Sequence, residues 1–330
     1  MTRDQPTAPA PSGAVVSTGR RLFGFFLVAA TLFLIFAGAE VKSREAGLSV
    51  PDWPKSYGMW MPPMVGNVFY EHGHRMVAAA VGFLTVILAL WTWRAEPRAW
   101  VRKLAWICLA AVIAQGILGG ITVRYLLPTP ISMAHGALAQ TFLCLLAWIA
   151  YASTREWRER TGARDEQGAG AGLAFRSVAT AVAAIYVQLL LGAWMRHSEA
   201  GLAVPFFPLS ETGSAVPEFV DKLVVIHLLH RGFAFVVATL VLRAVVSVWR
   251  HMPNLRSHAL LLGLLVCGQI VLGAFVIWEA KAPVITSMHV VTGAGILVTS
   301  WLLSLRCWRL GAGERSGRGD LSSERVLEGA

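Results

Sequence analysis

The segment EAGLSVPDWP, at Glu45–Pro54, returns 154 residues later as EAGLAVPFFP, at Glu199–Pro208. Other landmarks recur in the same order and at nearly the same spacing. They are Gln115 and Gln269, Gly119 and Gly273, His135 of SMAHG and His289 of SMHVV, and, at a spacing of 156 residues, His74-Arg75 and His230-Arg231. An insertion in a loop explains the slip of two residues. Chance rarely aligns so many landmarks, so the sequence predicts a duplicated structural unit.

The composition places this unit in a membrane. The chain has 330 residues, of which 55% are hydrophobic and only 15% charged, and its mean hydropathy is +0.57. Soluble domains are nearer a quarter charged. Apolar stretches of roughly 20 residues, each enough to cross a ~30 Å hydrocarbon core, lie near 22–39, 72–93, 104–124, 132–152, 174–195, 223–248, 258–278 and 284–305. We therefore predict an all-α integral membrane protein with eight transmembrane helices, four in each repeat.

The positions of the basic residues predict the topology. The net charge is +10, but most of the Lys and Arg cluster in alternate connecting segments and in the two terminal segments, as the positive-inside rule requires. A nucleic-acid partner is not needed to explain this charge, and none is predicted. Because each repeat has an even number of helices, the two four-helix bundles are expected to be parallel and in tandem, unlike those of inverted-repeat transporters. Both termini are expected on the cytoplasmic side.

A change of composition near the middle of the chain divides it. Thr154–Ala171 is charged and then rich in Gly and Ala, without apolar periodicity, which is typical of a hinge. The predicted segments are a disordered cytoplasmic tail (1–21), an N-terminal four-helix bundle (22–153), a cytoplasmic linker (154–173), a C-terminal four-helix bundle (174–306) and a cytoplasmic tail (307–330). The cysteines lie in or beside apolar helices, so no disulfide framework or redox pair is predicted.

The repeat singles out four of the nine histidines: His74, His135, His230 and His289. Each lies roughly one to two turns below the outer end of an even-numbered helix, so each half contributes two imidazoles at a similar depth. Two facing helices that each supply a neutral imidazole suit the axial positions of a haem iron. A lone intramembrane histidine more often hydrogen-bonds between helices, and zinc or copper also binds histidine. The duplicated pairs favour haem.

Charged residues beside these histidines differ between the halves. Arg75 and Arg231 follow their histidines on the outer side, where they would pair with haem propionates or extend to the lipid headgroups. Glu71 lies three residues before His74 on the same helical face, whereas His227 occupies the matching position of the second half. A carboxylate there can transfer protons, or it can simply favour a helix N-terminus. The first alternative makes the first half the reactive one.

This pattern resembles the haem A synthase family from about residue 22 to residue 309. The resemblance rests on GLSVPDWP, on Glu-x-x-His-Arg at Glu71–Arg75, on the histidine of MAHG at His135, and on His230-Arg231 and His289 within an eight-helix tandem repeat. It implies oxidation of the C8 methyl of haem O to a formyl group by successive hydroxylations. In one departure, Val50 and Ser56 stand where many bacterial relatives carry a cysteine pair, so a mechanism that uses that disulfide cannot operate here.

The resemblance also implies roles for individual residues. His230 and His289 would hold a permanent haem b in the C-terminal half. His74 and His135 would flank the substrate, haem O, in the N-terminal half. Glu71 would be needed for turnover.

The function predicted from the sequence is therefore that of a haem A synthase of the bacterial plasma (inner) membrane, which supplies terminal oxidases. Its expected partners are haem O, haem O synthase, an electron donor and membrane lipid. A dihaem b-type electron carrier linked to quinol is the alternative, and a haem transporter or chaperone is a third class. Replacement of Glu71 by Ala distinguishes the first two, because a carrier should keep electron transfer whereas a synthase should accumulate haem O or a hydroxylated form.

Overall fold

The structure, a computed structural model, describes residues 18–159 and 168–311. Within these ranges the chain is helical, without strands, and eight helices are long and apolar enough to cross a membrane. The prediction of an all-helical protein with eight candidate spans is confirmed. The helices are α1 (Thr18–Ser43), α2 (Gly66–Ala95), α3 (Ala99–Arg124), α4 (Thr129–Ala152), α5 (Gly168–His197), α6 (Lys222–His251), α7 (Arg256–Trp278) and α8 (Pro283–Gly311).

Most of these helices extend beyond the apolar stretches of the sequence. Helix α2 begins at Gly66 rather than near residue 72, because the helix continues through polar residues that a hydropathy count leaves out. Helix α1 begins within the predicted tail 1–21, and α8 continues past residue 306. The predicted linker 154–173 contains a short helix, Arg155–Glu159, and the start of α5. The rest of both predicted tails and residues 160–167 lie outside the described residues.

In each half, four helices pack in a ring. Helix α1 contacts α2 and α4, and α3 contacts α2 and α4; in the second half α5 contacts α6 and α8, and α7 contacts α6 and α8. The second and fourth helices of each half therefore lie diagonally across a central space. The halves meet where α1 and α4 pack on α8 and where α4 packs on α5.

Helix α8 connects the two apolar cores. Its Leu297 and Leu303 belong to the core of the second half, whereas Ala294 and Val298 pack among buried residues of the first half such as Leu143. Burying a leucine side chain contributes roughly 1.5–3 kcal/mol. Because α8 contributes to both cores, the two halves are held together by apolar contact as well as by the linker.

The duplication is visible in the backbone as well as in the sequence. Seven described non-glycine residues have positive φ, and all but Tyr57 form pairs separated by 154 residues. The pairs are Glu45 (55°) and Glu199 (57°), Leu126 (58°) and Ala280 (45°), and Leu127 (61°) and Lys281 (63°). Left-handed backbone is uncommon outside glycine. Its recurrence at matching positions shows that the turns at one end of the two halves have the same geometry.

At the other end of the first half, a single carboxylate joins three segments of the chain. Glu96 follows α2, and its side chain is fully buried. Its oxygens lie 2.6 Å from Arg20 of α1, 2.6 Å from Arg98 before α3, and 3.1 Å from Arg158 of the short helix. Charge-assisted bonds of this kind are stronger than neutral ones. We call this the inner end, following the predicted topology, and the opposite end the outer end.

Candidate functional site

The four repeated histidines lie near the outer end at matched depths. His74 and His230 are the ninth residues of α2 and α6, and His135 and His289 are the seventh residues of α4 and α8. At 1.5 Å per residue they lie about 9–12 Å from the helix ends. Each half thus brings one imidazole from each of its two diagonal helices towards its central space.

A glycine on a neighbouring helix packs against each of these imidazoles. A methyl group built on Gly38 would lie 2.9 Å from Cε1 of His74, and one on Gly192 would lie 3.0 Å from Cε1 of His230. The corresponding distances are 3.3 Å for Gly119 and His135 and 3.2 Å for Gly273 and His289. A side chain at Gly38 would clash with the ring, and one at the other three positions would make a contact tighter than nine in ten real Cβ contacts. Both halves therefore position their histidines in the same way.

Glutamines fix the backbone beside three of the histidines. The amide nitrogens of Gln115 and Gln269 donate to the carbonyl oxygens of His135 and His289, at 2.9 and 3.0 Å. Gln188 donates to the carbonyl of His230 at 2.9 Å, and its Nε2 also lies 3.2 Å from Nδ1 of that ring.

Gln188 does not stand out in the repeat, because Leu34 occupies the matching position of the first half. A glutamine inside an apolar helix was the signal that could have found it. The two halves are consequently alike beside His135 and His289. They differ beside His74 and His230, because only His230 has a glutamine partner.

The donor set fits a group with two axial imidazoles. In each half the two imidazoles are close enough to interact electrostatically. Nδ1 of His74, His135 and His289 is buried and has no hydrogen-bond partner. Within residues 18–159 and 168–311, no three metal-binding side chains come together. Paired imidazoles facing a central space are the arrangement that a haem iron uses.

Glu71 is held in place by two donors at the outer end of the first half. One oxygen accepts a hydrogen bond from the backbone amide of Val50 at 2.8 Å, and the other lies 2.5 Å from Nη2 of Arg75. The carboxylate is almost completely buried. His72, next in sequence, is also buried, and its Nδ1 lies 2.8 Å from the hydroxyl of Ser56. Glu71 therefore connects α2 to the loop that follows α1.

The second half replaces this carboxylate with a neutral group. At the matching position, Nδ1 of buried His227 lies 2.9 Å from the carbonyl oxygen of Ala200 and donates to it. Both side chains thus hold the preceding outer loop to the second helix of their half. Only the first half has an ionisable acid at this point.

Arg75 and Arg231 bind equivalent loop carbonyls. Arg75 donates to the carbonyl of Asp52 at 2.7 Å and to that of Val50 at 3.3 Å. Arg231 donates to the carbonyls at the corresponding positions, Val204 at 3.0 Å and Phe206 at 2.7 Å. These bonds fold each loop back over its helices.

The outer loop of the first half covers the helix ends. Backbone amides of Gly58 and Tyr57 donate to the carboxylate of Asp52 and lower the pKa of this residue below its ordinary value. Next to it, the ring of Trp53 packs on α3 so closely that a methyl group on Gly120 would lie 2.7 Å from the indole. The loop thus forms a lid of defined geometry over the first half.

Polar contacts also join the two halves near the histidines. Nη2 of Arg196, at the end of α5, donates to the carbonyl of Ala39 at 2.6 Å and to the hydroxyl of Ser43 at 2.8 Å. Glu199 pairs with Lys42 of α1. Burial alone would raise the pKa of Glu199, but the neighbouring lysine holds it below its ordinary value.

Glu40 is a second polar residue that the sequence pattern did not single out. This residue of α1 is buried, one of its oxygens lies 2.8 Å from Arg44, and the other has no partner. It follows directly after the apolar stretch 22–39, where the hydropathy signal ends.

Comparisons with known proteins identify the family of the chain. The sequence model of the COX15-CtaA family, described as cytochrome oxidase assembly protein, matches residues 65–301. The haem A synthase of Shouchella clausii is 28% identical over 303 residues, which cover 88% of this chain and 95% of the relative. That of Alkalihalophilus pseudofirmus is 27% identical over 78% and 87% of the two chains, and that of Sphingopyxis alaskensis is 26% identical over 89% and 94%. The chain is a multi-pass membrane protein that belongs to the COX15-CtaA family of cytochrome oxidase assembly proteins.

Proposed function

We propose that the chain is a haem A synthase, an oxidoreductase that converts the C8 methyl of haem O to a formyl group through successive hydroxylations. The relatives that carry this name match most of the chain at modest identity. The observation that carries the proposal is the asymmetry between Glu71 and His227 in two otherwise repeated sites. A protein that only carried electrons would not need an acid in one half alone.

The second half holds the resident cofactor, a haem b, between His230 and His289. A haem with two imidazole ligands supplies one-electron transfer. The protein orients the ligands through Gly192 and Gly273 and through the bonds of Gln188 and Gln269 to the histidine backbones. Arg231 uses only Nη2 for the loop carbonyls among the described residues. Its other donors remain for a propionate.

The first half binds the substrate, haem O, between His74 and His135. Arg75 holds the outer loop over this space and orients Glu71. Each carboxylate oxygen of Glu71 has a second lone pair, so the side chain can accept a proton at Oε1 or Oε2 while it keeps its two present partners. The lid packed on Gly120 excludes water from the same space.

The proposed arrangement in the membrane rests on the repeat and on the positions of the basic residues. Two parallel tandem four-helix bundles lie in the bacterial plasma membrane, with both termini cytoplasmic and the four histidines near the outer surface. Haem O synthase supplies the substrate, and a separate electron donor serves the haem b. Nucleic acid has no part in this function.

Mass spectrometry of the extracted haems tests the proposal. The full chain is produced in cells that make haem O but lack their own haem A synthase. Haem A or a hydroxylated haem O in the extract is the expected result. Haem O and haem b alone, in protein with a normal bis-imidazole spectrum, would instead indicate the dihaem electron carrier.

A further inference from the structure

A cavity that the proposed reaction does not use lies at the inner end of the first half. Its volume is about 570 Å³, within the usual range for small-ligand sites. It is formed by the start of α3, the end of α4, the short helix at 155–159 and the end of α8. The residues that line it are Pro97, Arg98, Trp100, Trp148, Trp157, Arg158, Trp308 and Arg309. Four indoles and three guanidiniums therefore surround the cavity. Two of the guanidiniums, those of Arg98 and Arg158, are paired with the buried carboxylate of Glu96, whereas Arg309 is not.

Two hydrogen-bond donors at this cavity have no acceptor within the described part of the chain. Arg309 lies 5.2 Å above the ring of Trp157 and donates to the Trp157 carbonyl through Nε and Nη2, at 3.3 and 3.2 Å. Its Nη1 makes no such bond, and no described carboxylate pairs with it. Nε1 of Trp148 is buried and unpartnered. Nη1 of Arg309 therefore remains available to a ligand in the cavity, whereas Nε1 of Trp148 is covered by protein.

The surroundings of the cavity match a lipid at the membrane interface. Tryptophans concentrate where a bilayer meets water, and this cavity lies at the helix ends. Towards the membrane centre, α3 continues with an exposed apolar face that includes Ile107, Ile113 and Ile117. Of these, Ile107 lies two turns from Trp100 on the same side of α3, so acyl chains can contact α3 beside the cavity.

We propose that this cavity binds the phosphate of an anionic glycerophospholipid whose acyl chains lie along α3. Basic pockets between transmembrane helices at the cytoplasmic side are suited to such headgroups. Nη1 of Arg309 donates to the phosphate, and the tryptophan rings cover its glycerol. Because Trp308 and Arg309 belong to α8 whereas Trp100 and Trp148 belong to the first half, the bound lipid also links the two halves.

Native mass spectrometry of the delipidated full-length holoprotein tests this site. Dioleoylphosphatidylglycerol and dioleoylphosphatidylcholine are titrated separately, and the fraction with one bound lipid is recorded. We expect the first to bind at least tenfold more tightly. Arg309→Gln should weaken its binding by roughly tenfold, since a charged donor to the phosphate is lost, and Arg309→Lys should retain most of it. Trp308→Ala provides a second, independent change if Arg309→Gln fails to fold.

Arg256→Gln is the matched control. Arg256 lies 5.3 Å over the ring of Trp249 and donates to its carbonyl, in the same way as Arg309 with Trp157, but it does not line the cavity. Its replacement should leave lipid binding unchanged. Equal binding of the two lipids, or equal losses from Arg309→Gln and Arg256→Gln, would overturn the proposal. Displacement of the lipid by millimolar inorganic phosphate would also overturn it, because the site would then recognise a free anion.

Discussion

Gly192 and His230 lie so close together that a methyl group on the glycine would be 3.0 Å from Cε1 of the imidazole. This distance is tighter than nine in ten real Cβ contacts, so the ring would have to move by a few tenths of an ångström. Since Gln188, one turn earlier on α5, also contacts this ring, we expect Gly192→Ala to displace the ligand and reduce the haem retained by the second half several-fold. The ratio of Soret absorbance to protein measures this loss.

Gly268→Ala is the control for this change. No heavy atom outside its own helix lies within 4 Å of a methyl group at that position of α7. Alanine favours a helix by roughly 0.5–1 kcal/mol over glycine, so this variant should keep its haem and unfold at the same or a higher temperature. Equal haem contents in the two variants would contradict the role given to Gly192.

Gln188→Leu gives the second half the residue that the first half carries at Leu34. The substitution removes the bond to the His230 carbonyl and the contact with its ring. A neutral hydrogen bond contributes about 1 kcal/mol, so haem should dissociate from the second half roughly fivefold faster. Transfer of haem to apomyoglobin measures the rate. Gln115→Leu, which changes the bond to His135 in the first half, should leave this rate unchanged.

Glu71→Gln keeps an acceptor for the Val50 amide but removes the negative charge beside Arg75. General acid–base groups contribute typically 10²–10⁴-fold to a rate. We therefore expect haem A formation to fall by about 100-fold, with haem O or a hydroxylated form accumulating and the Soret absorbance of the second-half haem unchanged. Mass spectrometry of extracted haems gives the product ratio.

His227→Gln is the corresponding change in the second half. Glutamine can still donate to the Ala200 carbonyl, which His227 does in the native protein. Product formation should stay within a few-fold of the native level. If the two variants lost activity equally, the difference between Glu71 and His227 would not reflect a role of Glu71 in proton transfer.

The number of helices and the four histidines could be predicted from the sequence because each depends on a repeated or local signal. Hydropathy marks the interior of a membrane helix, and duplication marks the histidines. The start of α2 at Gly66 could not be predicted from hydropathy, because polar residues such as Glu71 and His72 precede the apolar stretch; these two side chains contact the distant Val50 and Ser56. Such contacts depend on the path of the outer loop.

Residues that break the repeat were also missed. Gln188 has Leu34 as its counterpart, so comparing the halves gives no signal there. Glu40 lies one residue beyond an apolar stretch and resembles an ordinary helix end, although it is buried. Glu40 is buried and Gln188 is half-buried because of tertiary packing, which the local composition does not show.

Glu96 predicts how stability depends on pH at the inner end. Burial alone would raise the pKa of Glu96, but hydrogen bonds and charge from Arg98, together with the charge of Arg20, hold it below its ordinary value of 4.5. A carboxyl whose pKa is lowered by folding stabilises the native state above its unfolded pKa. That contribution should disappear as the pH falls below about 4.5 and through the lower pKa of the folded state. Tryptophan fluorescence during thermal unfolding measures the change between pH 7 and pH 3.

Glu96→Gln tests whether this carboxylate is the cause. Removing one partner from a buried ion pair typically costs about 3–5 kcal/mol, because opposing charges are left uncompensated. The variant should unfold at a lower temperature at pH 7 and lose less further stability than the native protein on acidification. Glu199→Gln changes a carboxylate that is 57% exposed and should cost less than about 1 kcal/mol. If Glu96→Gln kept the full native loss of stability between pH 5 and pH 3, other carboxyl groups would have to be responsible for it.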